Sequence, residues 1–209
     1  MYEQTVKKLF DFIEASPSQF HAIENQKQRL LAEGYVQLFE SKAWDLEAGG
    51  KYFVTRNGSS IIAFRIPQGD FNGFQIMSSH SDAPCFKIKE NPEMMSEGHY
   101  VKLNVEKYGG LICSTWFDRP LSVAGRLIVK ENGKLVSKLV NVDRDLLMIP
   151  NLAIHMNREV NDGYKYSIQK DMLPLFGNED AKGTFMDIIA EAAGVEKDAI
   201  LAKEISEEE

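Results

Sequence analysis

The chain has 209 residues, of which 44% are hydrophobic and 26% charged, with a formal net charge of -7. This composition suits a soluble globular protein of one large domain or two modest ones, since domains hold about 100 to 200 residues. The negative balance, without a dense Lys/Arg stripe, argues against nucleic acid as a partner. No run approaches the roughly 18 to 20 apolar residues that span a bilayer, and the start, "MYEQTVKKLFDF", is unlike a secretory signal, so no membrane role and a cytoplasmic location are expected. Cys85 and Cys113 are too few and too far apart for a disulfide framework or a four-thiolate zinc site. Both read as thiols packed as small apolar residues.

In "YEQTVKKLFDFIEA", Val6, Leu9, Phe10 and Ile13 recur at helical spacing and predict an apolar stripe that must pack on something. "SPSQF" predicts a second helix, with Ser16 as N-cap, Pro17 at its first position, Gln19 at the capping-box position and Gly34 past its end. The period then changes. "YVQLFE" suggests a short strand, and "KYFVTR" and "SSIIAFRI" flank Asn57-Gly58, a strong hairpin signal. "FQIMSSH" follows as a mostly apolar run, expected to be a strand buried on both faces.

A break is expected near residue 90, separating residues 1–90, of mixed α/β character, from a β-rich region, 91–209, with a late helix. There "YVKLNVEKY" alternates Val101, Leu103 and Val105 with polar residues, and "RLIVK" and "KLVSKLVNV" flank Glu131-Asn132-Gly133. "GTFMDIIAEAAG" predicts a helix capped by Thr184, with Phe185, Ile188, Ile189 and Ala192 on one face and Gly194 beyond its end. The acidic end "EISEEE" is expected to fray.

Candidate chemistry centres on "MSSHSDAPCF", residues 77–86. An imidazole is a good zinc ligand, and a ligating His commonly hands its other ring N–H to a carboxylate, which Asp82 could supply to His80. The competing reading of His80 and Asp82 is a loop polar pair that satisfies backbone groups, and spacing alone leaves both open. His21 reads as an early helix residue used for packing or a local hydrogen bond, and His99 as a loop residue facing solvent. His155, in "PNLAIHMNR", follows an apolar run beside Asn157 and Arg158, and alone reads as structural. No G-x-S-x-G accompanies Ser78, Ser79 and Ser81, and Gly109-Gly110 lacks a nucleotide-binding pattern and reads as a bend in a strand. "TWFDRP" reads as a packed Trp-Phe anchor with a turn salt bridge.

"SPSQFHAIEN", "SSHSDAPCFKIKENP", "VEKYGGLICSTWFDRPLSVAGRLIV" and "IPNLAIHMNREVNDGYKYSIQKDMLPL" follow one another in an order and at separations that resemble aspartyl aminopeptidases and their bacterial relatives, dinuclear zinc exopeptidases. The likeness runs from about Ser16 to at least Pro174. It implies the N-terminal portion of a metallopeptidase α/β sandwich, followed by a β-rich dimerisation domain. His80 then becomes a zinc ligand, Asp82 the carboxylate that orients it, and His155 a substrate or transition-state contact lent to a neighbouring subunit. The implied activity is removal of N-terminal acidic residues from peptide substrates, with two zinc ions as cofactors and a homo-oligomer built from dimers.

The family pattern also includes a bridging Asp, a Glu-Glu pair with the general base, a further Asp and a final His, and this sequence contains none of that set. Two co-catalytic zinc ions need ligands on both metals, a bridging oxygen donor and a base. The expectation is therefore a truncated chain that hydrolyses little alone. The alternatives are a non-catalytic oligomerisation module of the same family and an unrelated small-molecule binding protein.

Overall fold

The computed structural model describes residues 2–208, which divide into two compact units between Ala83 and Pro84. The division falls ahead of residue 90 for a physical reason. One long strand, Cys85–Ser96, runs through the expected break and belongs wholly to the second unit.

The first unit opens with helices α1 (Tyr2–Glu14) and α2 (Gln19–Ala32). The predicted helix α1 forms, but Val6, Leu9, Phe10 and Ile13 stay 46–57% exposed, so about half of its stripe is left uncovered among the described residues. Helix α2 begins later than "SPSQF" suggested. Ser18, not Ser16, is its N-cap, with its hydroxyl accepting from the His21 N–H and 2.8 Å from His21 Nδ1. Ser16 instead holds Asn25, whose amide donates to Ser16 Oγ at 3.0 Å and to the Ala15 carbonyl at 2.6 Å. At the other end Gly34, at φ +79°, lets its N–H reach the Leu31 carbonyl and that of Tyr35 the Leu30 carbonyl, the Schellman pattern.

Strands β1 (Val36–Leu38), β2 (Lys51–Arg56) and β3 (Ser60–Arg65) form a three-stranded sheet with β2 central, parallel to β1 and antiparallel to β3. The hairpin turns where Asn57-Gly58 predicts it, both residues having positive φ. Phe20 and Ile23 from α2, and Tyr52, Phe53 and Val54 from β2, are buried in this unit. "FQIMSSH" departs from expectation. Residues 73–84 form no strand, and Phe74, Ile76 and Met77 are 67%, 83% and 93% exposed. A strand exists only through ladder bonds to a neighbour, and none pairs with this run.

The second unit is a six-stranded, wholly antiparallel sheet built from β4 (Cys85–Ser96), β5 (Tyr100–Tyr108), β6 (Ser122–Glu131), β7 (Lys134–Asn141), β8 (Leu175–Asn178) and β9 (Ile200–Glu208), in the order β7-β6-β9-β4-β5-β8. The alternation of β5 is as predicted, with Val101, Leu103 and Val105 fully buried. Glu131 pairs with Lys134 across Asn132-Gly133, both at positive φ, as the turn sequence requires. Pro92 lies in a bulge where the register of β4 slips between Ile88 and Glu93, a position that needs no N–H. Gly109, at φ +75°, bends the chain just past β5.

"EISEEE" is the second correction. Its described residues belong to β9, which lies between β6 and β4, and Ile205 and Glu207 are buried. The acidic composition suggested a solvated end, but pairing with β6 over nearly the whole of β9 outweighs it. Helix α3 (Ile168–Asp171) is a single turn, and α4 (Phe185–Ala193) covers the core with Phe185, Ile189 and Ala190 rather than with Ala192, which is exposed. Gly194 ends α4 in the left-handed conformation as expected. Thr184 makes no capping bond and donates instead to the Ala181 carbonyl; the cap is Glu93 of β4, whose carboxylate accepts from the Gly183 and Phe185 N–H groups.

Candidate metal centre

His80 and Asp82 lie in the irregular segment that ends the first unit, where Ser81 Oγ donates to the Ser59 carbonyl at 3.0 Å and ties the segment to the β2–β3 turn. Nδ1 of His80 is 2.9 Å from the Asp82 carbonyl and 3.2 Å from Asp82 Oδ1. A carbonyl and a carboxylate oxygen accept, so Nδ1 is the donor in this contact and Nε2 is the ring nitrogen not engaged by it. The side chain is 82% exposed, which leaves Nε2 open to solvent. This is the arrangement in which a ligating imidazole has its tautomer fixed from behind.

The donor chemistry fits zinc at one coordination position. A zinc site needs about four ligands, and the described residues contain no group of three or more His, Cys, Asp or Glu placed to hold a metal. His80 thus offers one donor position with the Asp82 carboxylate beside it, and the described residues add no others to make a complete set. Cys85 and Cys113, both half-buried and outside any disulfide, add none.

His155 belongs to the second unit, on a turn where the Met156 N–H reaches the Ala153 carbonyl at 2.8 Å. It is exposed, as are the apolar Leu152, Ile154 and Met156 around it. The base of this loop is held by "TWFDRP", in a way the sequence did not reveal. Asp118, at φ +59°, accepts from the Asn151 N–H at 2.9 Å, while its own N–H donates to the Ile149 carbonyl. Phe117 stacks on Tyr166 at 5.2 Å, and Trp116 meets Phe86 edge-on at 5.1 Å, so the predicted aromatic anchor is present. Asp171 closes the segment by accepting from the Ser167 N–H at 2.7 Å and from the Tyr164 hydroxyl at 3.3 Å.

The other histidines keep their structural readings. His21 is half-buried against Ser18, and burial holds its imidazole below the usual range. His99 is exposed in the β4–β5 turn.

Residues 12–208 match the family model described as aminopeptidase I zinc metalloprotease (M18). A curated relative from Clostridium acetobutylicum, named "Probable M18 family aminopeptidase 2", is 49% identical over 203 residues, which cover 93% of this chain and 47% of the relative. The chain thus spans about half the length of the curated relatives it matches. The solved structure of Chaetomium thermophilum mApe1 superposes with a TM-score of 0.89 at 34% identity, over 98% of this chain and 50% of that one. The S. cerevisiae mApe1 dodecamer shares the fold at a TM-score of 0.78 and 24% identity, over 99% of this chain and 48% of that one. With the match running over nearly its whole length, the chain belongs to the M18 family of zinc aminopeptidases.

Proposed function

We propose that this chain supplies part of the active site of a zinc aminopeptidase that removes N-terminal acidic residues from peptides in the cytoplasm. His80 ligates zinc through Nε2, and Asp82 holds the proton on Nδ1, which fixes the ring and raises its basicity. The observation that carries this reading is the short contact from Nδ1 to Asp82, with Nε2 left open. Zinc would supply Lewis acidity and a water acidified to near neutrality. The described residues do not complete its coordination, so little or no turnover is expected of the 209-residue chain by itself.

His155 acts in a neighbouring subunit's site. Its loop is anchored at the base by Asp118 and presents Leu152, Ile154 and Met156 outward, a surface that suits insertion between subunits of a homo-oligomer built from dimers. The dodecamer formed by the yeast relative supports this reading.

The test is a zinc titration of the 209-residue chain and of His80→Ala, each also assayed with an acidic aminoacyl chromogenic substrate. Weak zinc binding by the chain, abolished in His80→Ala, and no turnover by either protein are expected. Turnover that survives His80→Ala would refute the assignment. The alternative reading, a non-catalytic oligomerisation module, is favoured by the second unit's own extensive core and predicts self-association by light scattering without zinc dependence.

A further inference from the structure

Glu207 sits where a carboxylate is least at home. It is 2% exposed on the penultimate described position of β9, and neither of its side-chain oxygens has a hydrogen-bond partner. Register places it beside Val123 of β6, and the adjoining Lys87–Ser206 pair places it beside Phe86 of β4, both fully buried. Alternation along β9 puts it on the same face as Ile205, toward the core.

Among the described residues no cation bonds it, and Lys203, four residues back on the same face of β9, bonds Glu90 instead. On β6 and β4 the nearest cations, Arg126 and Lys87, lie on the opposite face, where both bond Glu204 at 3.0 Å. On β5, Lys107 is the register partner of Phe86 and shares its face, but it is exposed at the strand end. Behind Phe86 stand Trp116 and, against the same core, the thiol of Cys113. Glu208 points to the other face, where burial first and then the charge of Asp143 raise its carboxyl. Burial alone pushes the Glu207 carboxyl well above the ordinary carboxylate range.

We infer that the end of β9 is a pH-gated latch: with Glu207 neutral the strand stays docked between β4 and β6, and ionisation of Glu207 expels its last residues from the sheet. The position gives the latch leverage. Among the named strands β9 alone joins the β7–β6 hairpin to β4, which it meets at the single register pair Lys87–Ser206, so release of its end parts this seam while the Leu121–Leu147 and Met148–Leu175 bridges still hold the other side. An unpaired buried carboxylate either stays protonated or leaves the core, because the ionised form without partners is too costly to keep there.

The sign follows from linkage. The folded carboxyl binds its proton more tightly than the unfolded one, whose ordinary value is 4.5. Docking is therefore strongest below that value. It weakens by up to about tenfold per pH unit as the pH rises toward the folded value. The inference does not depend on the zinc assignment.

The experiment is hydrogen exchange of the 209-residue chain, read on a peptide covering β9 and compared with Glu207→Gln at the same pH, so that the intrinsic pH dependence of exchange cancels. At about pH 5 the two proteins should exchange alike, and at about pH 9 wild type should exchange at least about tenfold faster. Glu207→Leu, which matches its apolar neighbours, should stay protected at both values and serves if Glu207→Gln does not fold. Equal protection of wild type and variant at both values would overturn the latch. So would a wild-type β9 that is unprotected at the lower pH.

Discussion

Removing Glu93 tests whether a cap supplied from another element holds the second unit together. Its carboxylate accepts from Phe185 N–H at 2.9 Å and from Gly183 N–H, and Thr184, the residue in the N-cap position, makes no capping bond. Glu93→Ala therefore leaves two amide donors at the start of α4 without their acceptor and removes a negative charge from the positive end of the helix. Loss of an N-cap costs about 1 kcal/mol, and loss of a favourable charge at a helix end about 0.3–1 kcal/mol. Glu93 is half-buried, so solvent replaces part of what is lost, and the expected destabilisation is about 1–2 kcal/mol. Glu93→Gln keeps an acceptor without the charge and should lose about half as much. The measurement is urea denaturation followed by tryptophan fluorescence in a Trp44→Phe background, where Trp116 reports on the second unit alone. A Glu93→Ala midpoint indistinguishable from wild type would refute the cap. Equal losses in Glu93→Ala and Glu93→Gln would show that charge, not hydrogen bonding, carries it.

At Gly125 a Cβ would lie 2.1 Å from the Glu204 carbonyl oxygen and 2.8 Å from Ile205 Cα, both backbone atoms of β9. Gly125→Ala should therefore displace β9 and cost about 3 kcal/mol, seen as a lower denaturation midpoint and faster exchange in β9. Leu127→Ala, at a fully buried core position, should cost about 2–5 kcal/mol in the same assay. Asp118→Ala loses the bond to Asn151 and puts a side chain that tolerates positive φ poorly at φ +59°, so the loop bearing His155 should be cut faster by protease than in wild type. Burial first, and then the charge of Asp143, push the Glu208 carboxyl up to about 7. A carboxyl raised on folding favours the folded state below its unfolded value and loses that advantage as pH rises toward 7, so Glu208→Gln should flatten this part of the thermal stability profile.

What the sequence made legible follows the range of the interactions involved. The hairpins at Asn57-Gly58 and Asn132-Gly133 depend on backbone preferences of the residues themselves, and the alternation of β5 states directly which face is buried. The His80–Asp82 pair was legible for the same reason, since its partners are two residues apart. Features made by distant partners were not. Glu93 caps a helix 92 residues away in sequence, and nothing local in either segment announces the contact.

"EISEEE" and "FQIMSSH" show the same limit from opposite sides. The first is acidic and reads as a solvated end, yet pairing with β6 draws it into the centre of a sheet. The second is apolar and reads as a buried strand, yet it has no strand beside it. Composition sets what a segment would gain from burial, and pairing decides whether it is buried. This bears on the site, because His80 stands at the end of the run that lacks a partner. Its contact with Asp82 is local and forms without the ladder. The His80–Asp82 contact is thus written in its own neighbourhood, whereas the course of residues 74–80, which carry His80, is not held by any strand pairing among the described residues.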